Sequence, residues 1–275
     1  MNWSFSSSSL DDAKRFYQGQ GFVGVVDLLS PEDLDILRQA FAEAVASKTV
    51  IVGMEEMIET NDVIFRHPVF ESYAKDPRLI ALVEALLNSE CELQHSKLNV
   101  KPVADKGKGA IKWHQDYPFF PHTNLGLLAL TIHLDDEDED SGAVEVIPGS
   151  HEWGVLSHCR DGEFVYECTE NLREYDPASR ILLTGPACQV TVHHCLTLHH
   201  SAPKRSDSQR RHLVFQYRAQ DAIQLAGVLW RCTGYQVRSP GTIKGTGRFF
   251  DGTRVELRGT TGRLYDKYQC LAADR

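Results

Sequence analysis

The chain has 275 residues, enough for one large domain or two small ones. Apolar residues make up 42% of the chain and charged residues 24%, which is typical of a globular protein with a sizeable core. The formal net charge of −9 argues against a dedicated surface for nucleic acid or an anionic membrane, since both need a basic footprint.

Neither the apolar runs nor the cysteines indicate a membrane or secreted protein. No apolar run reaches the ~18 residues of a membrane-spanning helix, and residues 1–9 are polar and serine-rich, unlike a signal peptide. The seven cysteines are scattered and form no C-x-x-C pair, which disfavours a zinc knuckle or a disulfide framework. We therefore expect a cytoplasmic protein with reduced, mostly buried thiols.

The N-terminal third is predicted to be mainly helical. Ser30, Pro31 and the two acids that follow are a strong helix start, because serine caps, proline fits the first turn, and acids favour the positive end of the helix dipole. Apolar residues at helical spacing continue this helix to Val45. In chain order we expect a helix at 11–18, a strand at 22–28, a helix from residue 31 onward, a loop or strand at 61–66, and helices at 69–75 and 78–87.

From residue 91 onward the pattern changes to short strands separated by turn residues, which is typical of a sandwich or barrel. We predict one α+β domain over residues 1–275: a double-stranded β-helix (a jelly roll, cupin-like) with the N-terminal helices packed on one sheet. The tail at 234–275 contains a strand-like piece at 254–258 and is otherwise not assigned. The predicted strands are 93–103, 110–116, 125–134, 143–147, 180–183, 189–199 and 212–218.

The block WHQDY at 113–117 carries the strongest chemical signal. Alternate side chains of a strand share one face, so His114 and Asp116 can point into one cavity. His199, at the end of a later strand-like run, is the best candidate for a third ligand. Two imidazoles and one carboxylate leave other positions of a metal open, as in non-haem Fe(II) oxygenases.

Two ambiguities remain at this level. An H-x-D pair alone is a weak signal, because the chain has twelve histidines and a second such pair, His133 and Asp135. We interpret the acidic run at 135–140 as a solvated loop, since contiguous like charges repel and lack the spacing of a calcium loop. The adjacent histidines at 193–194 and 199–200 face opposite ways, and spacing alone does not decide which of them face the cavity.

Four sequence blocks, taken together, are similar to those of a known family. They are SKLNVKP at 96–102, WHQD at 113–116, SGAVEVIPGSH at 141–151, and HHSAP at 199–203 followed by Arg210. In order and spacing they resemble the phytanoyl-CoA dioxygenase (PhyH) family of Fe(II)/2-oxoglutarate-dependent oxygenases. The resemblance implies that His114, Asp116 and His199 are both the catalytic residues and the metal ligands.

The resemblance also implies a binding site for 2-oxoglutarate. Arg210 and Ser201 are expected to bind its far carboxylate, and Thr131, Asn99 and Lys97 to line the same pocket. Lys97 is a departure, because relatives often have an apolar residue there. A histidine ligand needs a hydrogen-bond partner that fixes its tautomer, and His194 and Gln115 are both candidates for that role.

The implied activity is hydroxylation of an unactivated C–H bond in a small molecule, with consumption of O2 and release of succinate and CO2. The intact Asp116 favours hydroxylation over halogenation. The alternatives are a cupin-like metalloenzyme that does not use 2-oxoglutarate, and a non-catalytic binding protein. Lysines 106, 108 and 112 indicate either a solvated loop or a lid over an anionic substrate. By position, the expected substrate contacts are Phe119, Phe120, His122 and Trp153.

Overall fold

The computed structural model describes residues 1–50, 58–101, 109–172, 179–227, 229–237, 246–248 and 254–256. Two parts of the chain lie outside these ranges. One contains Lys106 and Lys108, for which the sequence suggested either a solvated loop or a lid. The other is most of the 234–275 tail, which the sequence left largely unassigned. Within them the α-helices are α1 (Leu10–Gln20), α2 (Pro31–Ala46), α3 (Pro68–Ala74) and α4 (Pro77–Leu87).

The β-strands follow the helices in the chain, apart from the first, which precedes them, and the second and third, which lie between them. They are β1 (Ser4–Ser6), β2 (Phe22–Val26), β3 (Ile58–Asn61), β4 (Cys91–Lys101), β5 (Ile111–His114), β6 (Leu127–His133), β7 (Val144–Val146), β8 (Cys159–Arg160), β9 (Glu163–Phe164), β10 (Ile181–Leu182), β11 (Val190–His194), β12 (His199–Ser201), β13 (Arg210–Ala219), β14 (Thr246–Arg248) and β15 (Arg254–Glu256).

Two sheets form the body of the molecule. The larger has the strand order β1-β2-β11-β6-β13-β4-β3, and the smaller has the order β10-β7-β12-β5. Their strands pair antiparallel except for β1 with β2. One cavity is lined by β4, β6, β11 and β13 of the larger sheet and by β5, β7 and β12 of the smaller, so it lies between the sheets. This arrangement is the predicted jelly roll, and with the helices it confirms the α+β class.

Strand β13 shows how the sequence divides the two faces of the larger sheet. Its Leu213, Phe215 and Tyr217 are buried in the main hydrophobic core. The residues between them, Val214 and Gln216, line the cavity. Because side chains alternate along a strand, the period of two builds an apolar face for the helices and a polar face for the site.

The helices cover the apolar face of the larger sheet. Helix α4 contacts β4, β6 and β13, and α1 contacts both β2 and α4. Leu79, Leu82 and Val83 of α4 are buried, and each such side chain contributes about 1.5–3 kcal/mol on leaving water. At the start of α2, Ser30 and Asp33 form the expected cap: the Asp33 N–H donates to Ser30 Oγ at 3.2 Å, and the Ser30 N–H donates to Asp33 Oδ2 at 2.7 Å.

The prediction of one strand over 189–199 is wrong. Strand β11 ends at His194 in the larger sheet, and β12 begins at His199 in the smaller one. A turn between them is closed by the Thr197 N–H, which donates to the His194 carbonyl at 2.8 Å. Cys195, Leu196 and Leu198 are buried in this turn. Because a buried turn is as apolar as a buried strand, the sequence pattern did not distinguish the two.

Smaller departures lie at the edges of the sheets. The serine-rich N-terminus forms β1, which pairs parallel to β2. Of the segment 61–66, predicted as loop or strand, only Asn61 belongs to a strand, the end of β3, and a 3-10 turn covers Val63–Phe65. The acidic run is not simply a solvated loop, because Glu137 is 5% exposed and Asp135 accepts hydrogen bonds from Arg211.

The helices and cysteines of the described ranges bear on two expectations drawn from composition. No helix there is long and apolar enough to cross a membrane. Three of the six described cysteines are buried, so the prediction of mostly buried thiols holds for Cys91, Cys195 and Cys232 and not for the others. Cys270 lies outside the described residues.

Candidate metal centre

His114 and Asp116 converge at the end of β5. His114 is the last residue of that strand, and Asp116 lies two residues beyond it, before a 3-10 turn over Tyr117–Phe119. Asp116 therefore reaches the site from a turn, although the prediction assumed that it belonged to the strand. His114 Nε2 lies 3.7 Å from Asp116 Oδ1.

Strand pairing brings His199 to the same point. Strands β12 and β5 are antiparallel neighbours, and His199 lies directly opposite His114. The two imidazole centroids are 4.2 Å apart, and His199 Nε2 lies 3.8 Å from Asp116 Oδ1. Two nitrogen atoms and one oxygen atom from distant parts of the chain thus surround one small volume.

The protonation of this group suits a metal. His114 Nδ1 donates to the Lys112 carbonyl at 2.8 Å, and His199 Nδ1 donates to the Thr197 carbonyl at 2.9 Å. A carbonyl only accepts, so each ring carries its proton on Nδ1 and presents a lone pair at Nε2. Burial lowers the pKa of both imidazoles, which keeps them neutral, as a metal ligand must be.

Two side chains hold the outer oxygen of Asp116. His193 Nε2 lies 3.1 Å from Asp116 Oδ2, and Gln216 Nε2 donates to the same oxygen at 2.7 Å. Burial on its own would raise the pKa of Asp116, but His199 and His193 more than offset it and hold the pKa well below its usual value. An ionised carboxylate with Oδ2 anchored turns Oδ1 toward the two imidazoles, so the donor set fits a 2-His-1-carboxylate metal site.

The sequence did not identify these supporting residues. Gln115 instead donates to the carbonyls of Gly154 and Leu196, both at 2.9 Å, and so braces the loop behind the site. His194 points away from the cavity and accepts from the Leu196 N–H at 3.1 Å. Within the 193–194 pair, His193 is the residue that faces the cavity. The alternation of side chains along β13 was the sequence signal that could have identified Gln216, because it places this residue on the polar face of the strand. In the structure Gln216 lies opposite Ala129 of β6, and both line the cavity.

The cavity beside the candidate metal centre contains every residue for which a 2-oxoglutarate contact was predicted. Ser201 Oγ and Asn99 Oδ1 are buried and have no hydrogen-bond partner among the described residues. Such atoms need a polar partner, and the oxygens of a dicarboxylate supply one for the Ser201 hydroxyl. The Arg210 guanidinium, which is 1% exposed, places a positive charge in this cavity. The five residues, all in the cavity lining, are Lys97, Asn99, Thr131, Ser201 and Arg210.

The residues predicted to contact substrate are placed differently from one another. Phe119 packs edge-on against the His114 ring, with centroids 5.5 Å apart, and so borders the centre. Phe120 and His122 are buried together in a cluster with Trp230, behind that edge. Trp153 ends a 3-10 turn at Ser150–Trp153. None of the four predicted substrate contacts, Phe119 included, is among the described residues that line the cavity.

A jelly roll that carries two histidines and one carboxylate between its sheets defines the class of mononuclear non-haem iron oxygenases. The chain belongs to the phytanoyl-CoA dioxygenase (PhyH) family, whose model matches residues 17–212. The names of the relatives show that it is an Fe(II)- and 2-oxoglutarate-dependent dioxygenase, which disfavours the alternative of a metalloenzyme that does not use 2-oxoglutarate.

Three similar proteins illustrate the range of this family and fold. A protein of Stutzerimonas stutzeri, named as a probable alpha-ketoglutarate-dependent hypophosphite dioxygenase, is 38% identical over 57% of this chain and 55% of its own length. An ectoine dioxygenase of Bordetella bronchiseptica is 27% identical over 79% of this chain and 78% of its own. The crystal structure of the carbocyclase SnoK of nogalamycin biosynthesis has a TM-score of 0.68 at 23% identity, covering 82% of this chain and 90% of that one.

Proposed function

We propose that His114, Asp116 and His199 hold one Fe(II) ion, and that Arg210 and Ser201 bind the far carboxylate of 2-oxoglutarate in the adjoining cavity. The observation that carries this proposal is the convergence of three ligand atoms: His114 Nε2 lies 3.7 Å and His199 Nε2 lies 3.8 Å from Asp116 Oδ1. When bound, iron and 2-oxoglutarate supply the oxidising power for O2 chemistry, with release of succinate and CO2.

The protein's own residues position the reactants and exclude water. His193 and Gln216 hold the carboxylate, while backbone carbonyls hold both imidazoles, so the ligand atoms stay in place before any metal binds. Asn99 and Thr131 line the same cavity as this centre and Arg210. A buried guanidinium binds a carboxylate strongly, because its donors match both oxygens and little water competes.

We further propose that the substrate is a small anion whose charged group is held by Lys97. This side chain lines the cavity, and its ammonium nitrogen lies 3.1 Å from Glu59 Oε2 of the edge strand β3. Burial lowers the pKa of Lys97, but Glu59 and Asp116 outweigh burial and raise it, so the amine stays charged. A charged lysine has two further N–H donors to offer beside the metal centre.

The names of the relatives support a compact substrate. One is named for hypophosphite, a small oxyanion, and another for ectoine. On this proposal a substrate hydrogen is replaced by hydroxyl: substrate, 2-oxoglutarate and O2 become hydroxylated substrate, succinate and CO2. We also propose that the enzyme is cytoplasmic, a compartment in which free thiols such as those of the six described cysteines stay reduced.

The test is a screen for substrate-dependent succinate formation. Purified protein is loaded with Fe(II), given 2-oxoglutarate and O2, and offered hypophosphite, phosphite, short carboxylates and phosphonates, with neutral amides as the comparison set. We expect at least one anion to raise succinate formation and to give a product heavier by one oxygen atom. Stimulation by neutral compounds alone would exclude the anionic class, and no 2-oxoglutarate binding at all would exclude the function.

Lys97→Met separates the substrate role from the predicted cofactor role. We expect KM for the anion to rise about tenfold or more, since a hydrogen bond to a charged group is lost, while Kd for 2-oxoglutarate changes less than about threefold. Lys75→Met is the matched control, because Lys75 also forms an ion pair, 2.7 Å from Glu71, on the surface. A higher Kd for 2-oxoglutarate with an unchanged KM would instead return Lys97 to the cofactor site.

A further inference from the structure

At the Arg210 side of the cavity lies a second buried group of ionisable residues, one of which, His212, also lines the cavity. It consists of His133 at the end of β6, Glu137 in the loop that follows, and His212 on β13, and all three are at most 5% exposed. Strand pairing places His133 directly opposite His212, and their rings stack with centroids 4.8 Å apart. Two residues before His212 on the same strand is Arg210.

The hydrogen bonds within this group run in one direction. Arg210 Nη1 lies 2.8 Å from His212 Nδ1, and a guanidinium can only donate, so Nδ1 is the accepting nitrogen. The single proton of the neutral ring is then on Nε2, which donates to Glu137 Oε1. Burial first, and then the charge of Arg210, lower the pKa of His212 to about 3, which keeps the ring neutral.

This order of donors distinguishes the group from the candidate metal centre. The composition is alike, two histidines and one carboxylate, and the three ligand atoms also lie close together. A metal-bound imidazole, however, has its lone pair on the metal side and its proton on the other nitrogen. In His212 that proton would point at the N–H of Arg210, whereas in His114 and His199 it points at a carbonyl.

We propose that His212 and Glu137 are positioning residues that hold the Arg210 guanidinium in the orientation that binds 2-oxoglutarate. Glu137 keeps the His212 proton on Nε2, so Nδ1 always offers an acceptor to Arg210. This inference rests on the proposed function, in which Arg210 binds the far carboxylate of the cofactor. The positioning role explains why Glu137, which belongs to the acidic run at 135–140, is buried against His212.

A second contact fixes the other end of the guanidinium. Arg210 Nη2 donates to the Gly142 carbonyl at 2.9 Å. Gly142 has φ +71°, and a Cβ at that position would lie 2.7 Å from the Ala202 carbonyl oxygen, so glycine is required for the carbonyl to sit there. With one terminal nitrogen on Gly142 and the other on His212, the guanidinium plane is defined before the cofactor enters.

The experiment measures 2-oxoglutarate binding directly, without turnover. Protein loaded with Mn(II), which does not support the oxidation, is titrated with 2-oxoglutarate in a calorimeter. We expect His212→Leu to raise Kd by about tenfold to a hundredfold, the effect of losing a hydrogen bond to a charged group, while Kd for Mn(II) stays within about threefold. In the Fe(II) enzyme, KM for 2-oxoglutarate should rise while kcat at saturating cofactor changes little.

Two further variants separate positioning from folding. Asn places its side-chain oxygen where His Nδ1 lies, so His212→Asn should restore Kd for 2-oxoglutarate to within about threefold of the parent protein. His95→Leu is the matched control: His95 is another buried histidine of the larger sheet, 1% exposed, and its ring stacks on Trp230. We expect it to lower the melting temperature while leaving Kd for 2-oxoglutarate unchanged.

Each outcome decides a different question. A parent protein that binds Mn(II) but no 2-oxoglutarate contradicts the proposed function. A parent that binds 2-oxoglutarate, with His212→Leu binding it equally well, contradicts only the positioning role. Two metal ions per chain in the parent, with one lost in His212→Leu, would make the buried group a metal site and overturn the inference.

Discussion

Replacing Gln216 with leucine removes the shorter of the two hydrogen bonds that hold the outer oxygen of Asp116. The Gln216 amide donates to Asp116 Oδ2 at 2.7 Å, and His193 lies 3.1 Å from the same oxygen. Leucine has a similar volume and cannot donate. The carboxylate then keeps one partner in place of two and can rotate away from the imidazoles.

The expected size of the effect follows from the chemistry of that bond. A hydrogen bond to a charged group contributes about 1.5–3 kcal/mol, and we expect the lower end because His193 remains. Since about 1.4 kcal/mol is a factor of ten, Kd for the metal should rise about tenfold, in line with the ~10–100-fold typical of residues that support metal ligands. The metal-free protein should also lose stability, because the buried Asp116 carboxylate loses a donor, whereas Gln216 Oε1 has no partner among the described residues that leucine would leave unpaired.

The assay is an anaerobic titration of the metal-free protein with Fe(II), or with Mn(II) in air. Gln94→Leu is the matched control, since Gln94 is also buried on the larger sheet. Its side-chain Nε2 donates to Gln224 Oε1 at 3.2 Å and not to Asp116. We expect the control to bind metal normally. An unchanged metal affinity in Gln216→Leu would refute the idea that the outer oxygen of Asp116 must be anchored.

Three further predictions concern stability, each measured by urea unfolding. Asp33 caps α2 and pairs with Arg78 at 2.8 Å, which holds its pKa below the usual value. Asp33→Asn should therefore lower the free energy of unfolding by about 1–2 kcal/mol at pH 7. The loss should become progressively smaller below about pH 4, where the carboxyl of the unfolded chain becomes protonated. A loss of stability that does not depend on pH would contradict the ion pair. Gly21→Ala should cost about 1–3 kcal/mol, because Gly21 has φ +80° and a Cβ would lie 2.6 Å from Thr197 Oγ1; an unchanged midpoint would show that the turn can relax. Leu82→Ala should cost about 2–5 kcal/mol, since Leu82 is 1% exposed in the core under α4, and a loss below 1 kcal/mol would mean that the core refills the space.

Much of the fold follows from patterns that are local in the chain. The start of α2 is encoded by Ser30, Pro31 and Asp33, because a cap needs only neighbouring side chains and backbone N–H groups. The strands of the larger sheet follow from alternating apolar residues, as in β13, since one face must be buried whatever the neighbouring strand is. The pairing of His114 with Asp116 also spans only two residues.

Long-range relations were decided by the tertiary structure alone. The chain leaves the larger sheet after His194 and enters the smaller one at His199, and only this crossing turns His193 and His199 toward the same carboxylate. An apolar turn and an apolar strand read alike in sequence when both are buried. Similarly, nothing near Glu137 distinguishes it from the surface acids beside it; the buried His212 opposite does.

The sequence by itself therefore determined the helices and most of the strands, the polar and apolar faces of the sheets, and the residue types of a metal site. The tertiary structure decided which polar residues support that site: Gln216 and His193 for the carboxylate, and His212 for Arg210. The physical reason is that a hydrogen bond between distant residues depends on strand register. Register is set by the pairing and packing of the whole sheet, and no short segment of the chain encodes it.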